Sequence, residues 1–240
     1  MVLTIMVMLA GALLSAASYT MEKNRIEETQ DTLQEILDAI DAYHDDTTHP
    51  EHSGSTLLPC PAGEREYSDD DFGIAEGTNQ DTAACATRCD APNLLTADSG
   101  RVVAGTVPVI SLNIDPRLIL DGWNRRITYV VDSYLTCEDG SGSGPGYSDT
   151  AAGSVTVQNA GGSTITSTAA IVLISHGRNG HGAWAVRSGT RLFISSPGTA
   201  EDENAHVGGT YDSIFVQAPI HPDFDDIVLY QTKWYFQNND

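Results

Sequence analysis

The residues best suited to chemistry lie in one short segment, Ser175 to His181, which reads SHGRNGH. Its two histidines could serve as acid and base or as metal ligands, and His206 and His221 follow later in the chain. Two histidines five positions apart in a glycine-rich stretch do not share a helix face, as a helical zinc motif requires. No GxSxG motif surrounds Ser175, so a serine hydrolase has no local support. The Asn-Gly dipeptide is instead typical of a tight hairpin turn, and we predict that the protein is not an enzyme.

Two groups of carboxylates are further candidates for chemistry. Asp223, Asp225 and Asp226 could act as acid and base, face another subunit or hold a cation, but nothing in the sequence places a partner opposite them. We interpret them as charged residues at the start of a strand. A second acidic stretch could form a calcium loop, because hard cations bind clustered oxygens. The favoured interpretation of that stretch is a solvated loop, so it supplies only weak calcium candidates: Asp69, Asp70 and Asp71.

The four cysteines are Cys60, Cys85, Cys89 and Cys137. An even number of cysteines after an apolar N-terminus predicts two disulfides formed in an oxidising compartment. Three pairings are possible, and the sequence separations favour Cys60 joined to Cys85 or Cys89, with Cys137 joined to the other. The spacing CATRC is not a CxxC motif, and neither a second CxxC nor a Cys/His tetrad accompanies it, which disfavours zinc.

The charge of the chain excludes some partners. The formal net charge is −21, from 33 acidic and 12 basic residues. Nucleic-acid binding needs Lys and Arg patches, and none is visible, so we expect no nucleic-acid partner. No Walker loop or GxGxxG motif follows a strand-like run, so the sequence has no nucleotide-binding signature. No cofactor is predicted, apart from calcium at the weak candidates above.

The main structural element that the sequence predicts is a long N-terminal helix over residues 1–43. Residues 1–19 have no charge, and the acidic segment that follows keeps apolar residues at a helical period, with Ile26, Leu33 and Ile40 seven apart. A helix of this length would measure roughly 60–70 Å. It would extend beyond any small domain attached to its end. Pro50 lies shortly after that predicted end, which is typical of a helix terminus.

The uncharged segment could be a signal peptide, a membrane anchor or part of a protein core. It has no Lys or Arg before Lys23, which disfavours a cleaved signal, whereas its length allows a transmembrane helix. An anchor alone does not explain the apolar stripe in the acidic half, but packing against neighbouring copies does. Small residues would let such helices approach closely. The residues predicted to pack in a filament core are Leu3, Val7, Ala10, Gly11, Leu14, Ile26, Leu33, Leu37 and Ile40.

The rest of the chain is predicted to be a β-rich head. Runs such as RITYVV (126–131), AAIVLIS (169–175), RLFISS (191–196) and DIVLYQTKWYF (226–236) are typical of short strands between turn residues. The fold class is therefore α+β, with a long helix followed by an antiparallel sheet and disulfide-held loops. The predicted divisions are the helix at 1–46, a loop-rich region at 47–100 and the head at 101–240.

Four blocks of the sequence, in order, resemble the type IV pilin and pseudopilin family. The blocks are LLPCPAGE (57–64), GTVPVISLNIDPRLILDGWNRRITYVV (105–131), IVLISHGRNGHGAWA (171–185) and FDDIVLYQ (224–231). They are similar to the LPCPA, DGW, SxGxNG and FDDI segments of a subgroup of bacterial pilin-like proteins. Such proteins usually carry Glu at the fifth mature position, where this sequence has Ile5, and the match of the RIEETQ stretch (25–30) suggests that several residues precede Met1.

The resemblance implies a structural subunit of a type IV pilus-like filament on the cell surface. Its partners would be copies of itself in a helical homopolymer and the pilus assembly machinery. Before assembly the subunit would reside in the inner membrane. Two alternatives remain at this stage: a minor pseudopilin of a type II secretion-like machine, and a membrane-anchored module whose β-rich head binds a ligand.

Overall fold

The fold consists of one long N-terminal helix and a β-sheet head. A computed structural model describes the backbone from residue 2 and side chains from residue 17, over the ranges 2–46, 57–63, 72–75, 89, 94–97, 101–137, 146–148, 150, 152–187, 189–195, 198–206 and 212–238. Helix α1 runs without interruption from Val2 to Asp45. The predicted α+β class is confirmed. The predicted calcium candidates Asp69, Asp70 and Asp71, and Cys85, lie outside the described residues.

The second half of α1 packs on the head of its own chain. Leu33, Leu37 and Ile40 are 2%, 1% and 0% exposed, and they share one core with sheet residues such as Tyr129 and Leu173. The structure thus places these three predicted filament-core residues inside the subunit, with Ile26 partly buried at the edge of the same core. The side chains of the other predicted packing residues lie outside the described part: Leu3, Val7, Ala10, Gly11 and Leu14.

The described strands form one seven-stranded sheet. The first three strands run in order along one side of it: β1 (Leu95–Ala97), β2 (Val102–Thr106) and β3 (Thr128–Asp132). The others are β4 (Val155–Gln158), the long β5 (Thr164–Ser175), β6 (Ile214–Val216) and β7 (Ile227–Thr232). Two short α-helices, α2 (Thr199–Ala205) and α3 (Lys233–Gln237), and two 3-10 helices, Pro116–Ile119 and Ser133–Thr136, complete the described regular elements.

Strand β5 organises the sheet, because it pairs antiparallel with β3, β4 and β7. Strand β6 pairs parallel with β4, so the predicted antiparallel sheet is mixed and mostly antiparallel. In β5, Ile171 and Leu173 face the core under α1, while Val172 and Ile174 face a second apolar cluster. Both faces are buried there, and this explains why the strand reads as a continuous apolar run.

The predicted loop-rich region belongs to the same core as the head. Leu57 and Leu58 are buried in the core under α1, Ala62 bridges to Thr106 of β2, and residues 95–97 form an edge strand. A disulfide joins Cys60 to Cys89, which confirms one predicted pairing, and Cys137 is also disulfide-bonded.

The predicted transmembrane segment falls mainly on residues whose side chains the structure leaves undescribed. Among the described residues, no helix combines the length and the apolar character needed to cross a membrane.

Candidate functional site

The SHGRNGH segment forms a turn at the end of β5. Gly177 and Gly180 both have positive φ, and the Gly180 N–H donates to the His176 carbonyl at 2.9 Å. A Cβ atom on Gly177 would lie 2.1 Å from the Asp225 carbonyl oxygen, so only glycine allows the turn to approach the residues before β7 so closely. The turn is present as predicted but does not form a hairpin: Trp184 makes isolated bridges to Arg126 and Arg191.

The histidines singled out in the sequence make separate contacts in the structure. His176 is fully buried, with Nε2 3.0 Å from the Thr128 hydroxyl. His181 contacts Asp202 through Nε2 at 3.0 Å, and its Nδ1 accepts from the Ile194 N–H. Burial lowers the pKa of His176 well below its ordinary value, so the ring is neutral, and it lowers the pKa of His206 to about 3. Among the described residues, no histidine belongs to a group of three side chains that could hold one metal ion.

No imidazole among the described residues contacts the Ser175 hydroxyl. Its hydroxyl donates to Asp121 Oδ2 at 2.7 Å, and Asp121 Oδ1 accepts from the backbone N–H groups of Trp123 and Arg125. Burial raises the pKa of Asp121. Through these hydrogen bonds the Asp121 carboxyl connects the DGW loop (residues 121–123) to the end of β5. The arrangement is a structural connection rather than a nucleophile held by a base.

The residues that do converge are carboxylates. Glu201 in the first turn of α2 meets Asp225 and Asp226, which directly precede β7, and one oxygen from each lies within 4.8 Å of the others. Asn179 in the turn after β5 donates to two of them: its backbone N–H to Asp225 Oδ2 at 2.9 Å, and its side chain to Glu201 Oε1 at 2.8 Å. We call Glu201, Asp225 and Asp226 the carboxylate cluster.

A second amide supports the cluster from the side of β6. The Asn204 side chain donates to Asp226 Oδ2 at 2.8 Å and to the Val216 carbonyl at 2.9 Å, and it accepts from the Val216 N–H at 2.7 Å. Burial is the main reason that the pKa of Asp226 is well above its usual value, and it raises the pKa of Asp225 to about 6. These groups are therefore held at defined positions in an environment that opposes negative charge.

A surface pocket of about 380 Å³ opens beside the cluster. Asp225 of the cluster lines this pocket, as does Asn179, which donates hydrogen bonds to the cluster. Glu22 of α1 lines the same pocket, together with Arg178, Ile220, His221 and Pro222. Solvent can reach Asp225 by this route.

A second candidate surface is the exposed part of α1. Residues 17–25 are exposed except for Glu22, which is half-buried, and Tyr19 and Met21 are 74% and 59% exposed. Thr29 is the first fully buried residue after them. At 1.5 Å per residue, Val2 lies about 40 Å along the helix from Thr29. Residues 17–25 of the helix are thus available to another molecule.

Sequence reasoning identified only part of the carboxylate cluster. It singled out Asp225 and Asp226 but found no opposite partner, and it assigned Asn179 to turn formation alone. Glu201 was missed, because an acidic residue in the first turn of a short helix is ordinarily a solvated group that favours the helix dipole. Its burial at 2% exposure is a tertiary property.

Comparisons of this chain with protein-family models, with curated proteins and with solved structures give no match. What the protein does must therefore follow from its own residues and geometry.

Proposed function

We propose that the protein is a structural subunit of a type IV pilus-like filament and assembles through the first part of α1. The observation that carries the proposal is the division of this helix into two parts. From Thr29 onward its apolar face is covered by the chain's own sheet, whereas residues 17–25 are exposed apart from the half-buried Glu22. A second copy of the chain can cover this first part, and helix packing requires only close approach and complementary apolar faces.

The uncharged sequence of residues 1–19 supports the same proposal. Large apolar side chains in water are costly, at about 1.5–3 kcal/mol for each Leu, Ile, Val or Met. They require lipid or protein around them. In this proposal the subunit is held in the inner membrane through residues 1–20 before assembly, and neighbouring helices then replace lipid in a surface filament. The role is structural and needs no enzymatic activity.

Electron microscopy of material sheared from producing cells tests the proposal. The subunit is identified by mass spectrometry, which also reads its N-terminus. We expect thin helical fibres made mainly of this chain. Fibres in which the chain is a trace component would favour a minor pseudopilin. A chain found only as a monomer in the membrane fraction would contradict the proposal and favour an anchored binding module.

Matched variants test the surface itself. Tyr19→Glu places a charge on the exposed part of α1 and should abolish fibres while the thermal unfolding of the head is unchanged. Gly11→Trp should have the same effect, because it adds bulk where helices approach closely. Ile165→Glu adds the same charge at an exposed residue of β5, 46% exposed, and should leave fibres intact. Normal fibres from Tyr19→Glu and Gly11→Trp would exclude this packing surface.

A further inference from the structure

The carboxylate cluster brings three acidic side chains together without an ion-paired basic side chain among the described residues. Glu201 and Asp226 are 2% and 1% exposed, and Asp225 is half-buried. Among the residues that the structure describes, no Lys or Arg forms an ion pair with any of the three. The Arg125 guanidinium, which donates to the Gly177 carbonyl, favours the charged form of Asp225 without pairing with it. Carboxylates buried this close together repel one another, and an uncompensated buried charge is costly. The fold therefore calls for a positive ligand at this position.

Unpartnered atoms around the cluster point to the same conclusion. Asp225 Oδ1 and Asp226 Oδ1 are buried and have no hydrogen-bond partner. Outside the cluster, His176 is fully buried, and its Nδ1 also has no hydrogen-bond partner. This nitrogen lies 3.9 Å from Asp226 Oδ1, which is too far for a hydrogen bond but close enough for both to face one small bound species.

The hydrogen bonds around the cluster leave one oxygen of each aspartate available. The Asn179 N–H occupies Asp225 Oδ2, and the Asn204 amide occupies Asp226 Oδ2. Glu201 Oε1 accepts from the Asn179 amide and from the Asp225 N–H at 3.0 Å. These donors fix the orientation of the carboxylates, as outer residues commonly do around metal ligands.

We propose that Glu201, Asp225 and Asp226 bind a hard divalent cation, and that this ion is Ca²⁺. All three ligands are carboxylate oxygens, which hard cations prefer. Ca²⁺ accepts several carboxylate ligands in a flexible geometry, whereas Mg²⁺ is usually held by one or two carboxylates and keeps several of its waters. A group of three carboxylates therefore favours Ca²⁺. The pocket beside Asp225 gives the ion a path from solvent and room for water ligands.

The bound ion would join three separate parts of the head. Glu201 belongs to α2, Asp225 and Asp226 precede β7, and Asn179 connects both to the turn after β5. Binding to the folded chain alone raises its stability by mass action. The site lies in the head, so its test is independent of filament assembly.

Calorimetric titration with Ca²⁺, and thermal unfolding with and without it, test the site. The full chain is used in detergent after treatment with a chelator. We expect one Ca²⁺ per chain and a higher unfolding temperature when it is bound. Asp226→Asn and Glu201→Gln should each weaken Ca²⁺ binding by about tenfold or more. Asp223→Asn changes an exposed neighbour outside the cluster and should bind as the wild type does.

The stability of the metal-free variants separates a lost ligand from a lost fold. Without Ca²⁺, Asp226→Asn should unfold at a temperature at least as high as that of the wild type, because it replaces a buried carboxyl, whose ionised form is disfavoured there, by a neutral amide. Failure of the wild type to bind millimolar Ca²⁺ would overturn the proposal. So would an equal loss of binding in Asp223→Asn. Binding of Mg²⁺ in preference to Ca²⁺ would overturn the assignment of the larger ion.

Discussion

The backbone N–H of Gly122 donates a 3.0 Å hydrogen bond to the hydroxyl of Thr29, and so joins the DGW loop to the middle of α1. The same hydroxyl donates to the Arg25 carbonyl at 2.7 Å. Thr29 is fully buried, and it marks the position along α1 where the covered part of the helix begins. This contact sets how the loop lies against the helix.

Gly122→Ala should destabilise the head by about 1–3 kcal/mol through overpacking. A Cβ atom at this position would lie 2.5 Å from the Arg25 carbonyl oxygen, so the loop must move away from α1. Urea unfolding measures the change. Gly161→Ala is the control, because its Cβ would meet only the Asn159 side chain at 3.3 Å. Equal stabilities for the two variants would show that the loop adapts without cost.

Thr29→Val should lower the free energy of unfolding by about 1–2 kcal/mol, because the Gly122 N–H loses its partner. Thr32→Val is a matched control on the same helix: its exposed hydroxyl donates only to the Glu28 carbonyl at 2.8 Å. The control should change stability by less than about 0.5 kcal/mol. Chemical denaturation compares the pair, and similar losses in both would assign the effect to helix propensity instead.

Replacement of both Cys60 and Cys89 by Ser should cost about 3 kcal/mol or more. Their disulfide closes a loop with a sequence separation of 29, and the loss of this constraint increases the entropy of the unfolded chain. Denaturant unfolding under oxidising conditions measures the loss. Because the disulfide lies among buried apolar residues such as Leu94 and Val103, the native head should persist in the variant. An unchanged midpoint would contradict a stabilising role.

His206 should make the head less stable in mild acid. Its pKa is about 3 in the folded chain and 6.5 as an ordinary histidine, mainly because it is buried, with a smaller contribution from Arg191. The unfolded chain therefore binds a proton that the folded chain does not, and stability falls as the pH drops below about 6.5. Between pH 7 and pH 5 this one residue should account for about 2 kcal/mol.

His206→Asn isolates that contribution. Asn suits the left-handed conformation at this helix end, where φ is 48°, and it has no proton to gain. The Asp212 carboxylate, 3.7 Å from His206 Nδ1, is retained in the variant, as is the neutral buried His176. Unfolding free energies at several pH values should show a shallower slope for the variant. Parallel slopes would exclude His206 as the source.

The sequence determined the long helix because its signals are local. An uninterrupted helical period without Pro predicts one element over residues 1–43, and α1 ends at Asp45. The alternating and continuous apolar runs likewise predicted β3 and β5, and the four cysteines predicted disulfides. RLFISS was predicted as a strand, but Leu192, Phe193 and Ile194 are 37–52% exposed and join no strand of the sheet. The run DIVLYQTKWYF was also predicted as one strand, but strand β7 ends at Thr232 and helix α3 follows it directly.

Tertiary structure decided what each apolar face and each acidic residue contacts. The stripe of Leu33, Leu37 and Ile40 had to be buried, but its period does not distinguish a neighbouring helix from the chain's own sheet. Hydrogen bonds from Asn179 reach Glu201 and Asp225 of the carboxylate cluster, and these three residues are 22 to 46 positions apart. A local pattern specifies which side of an element is apolar. Long-range packing alone places distant polar groups side by side, and that is why the cluster had no signature in the sequence.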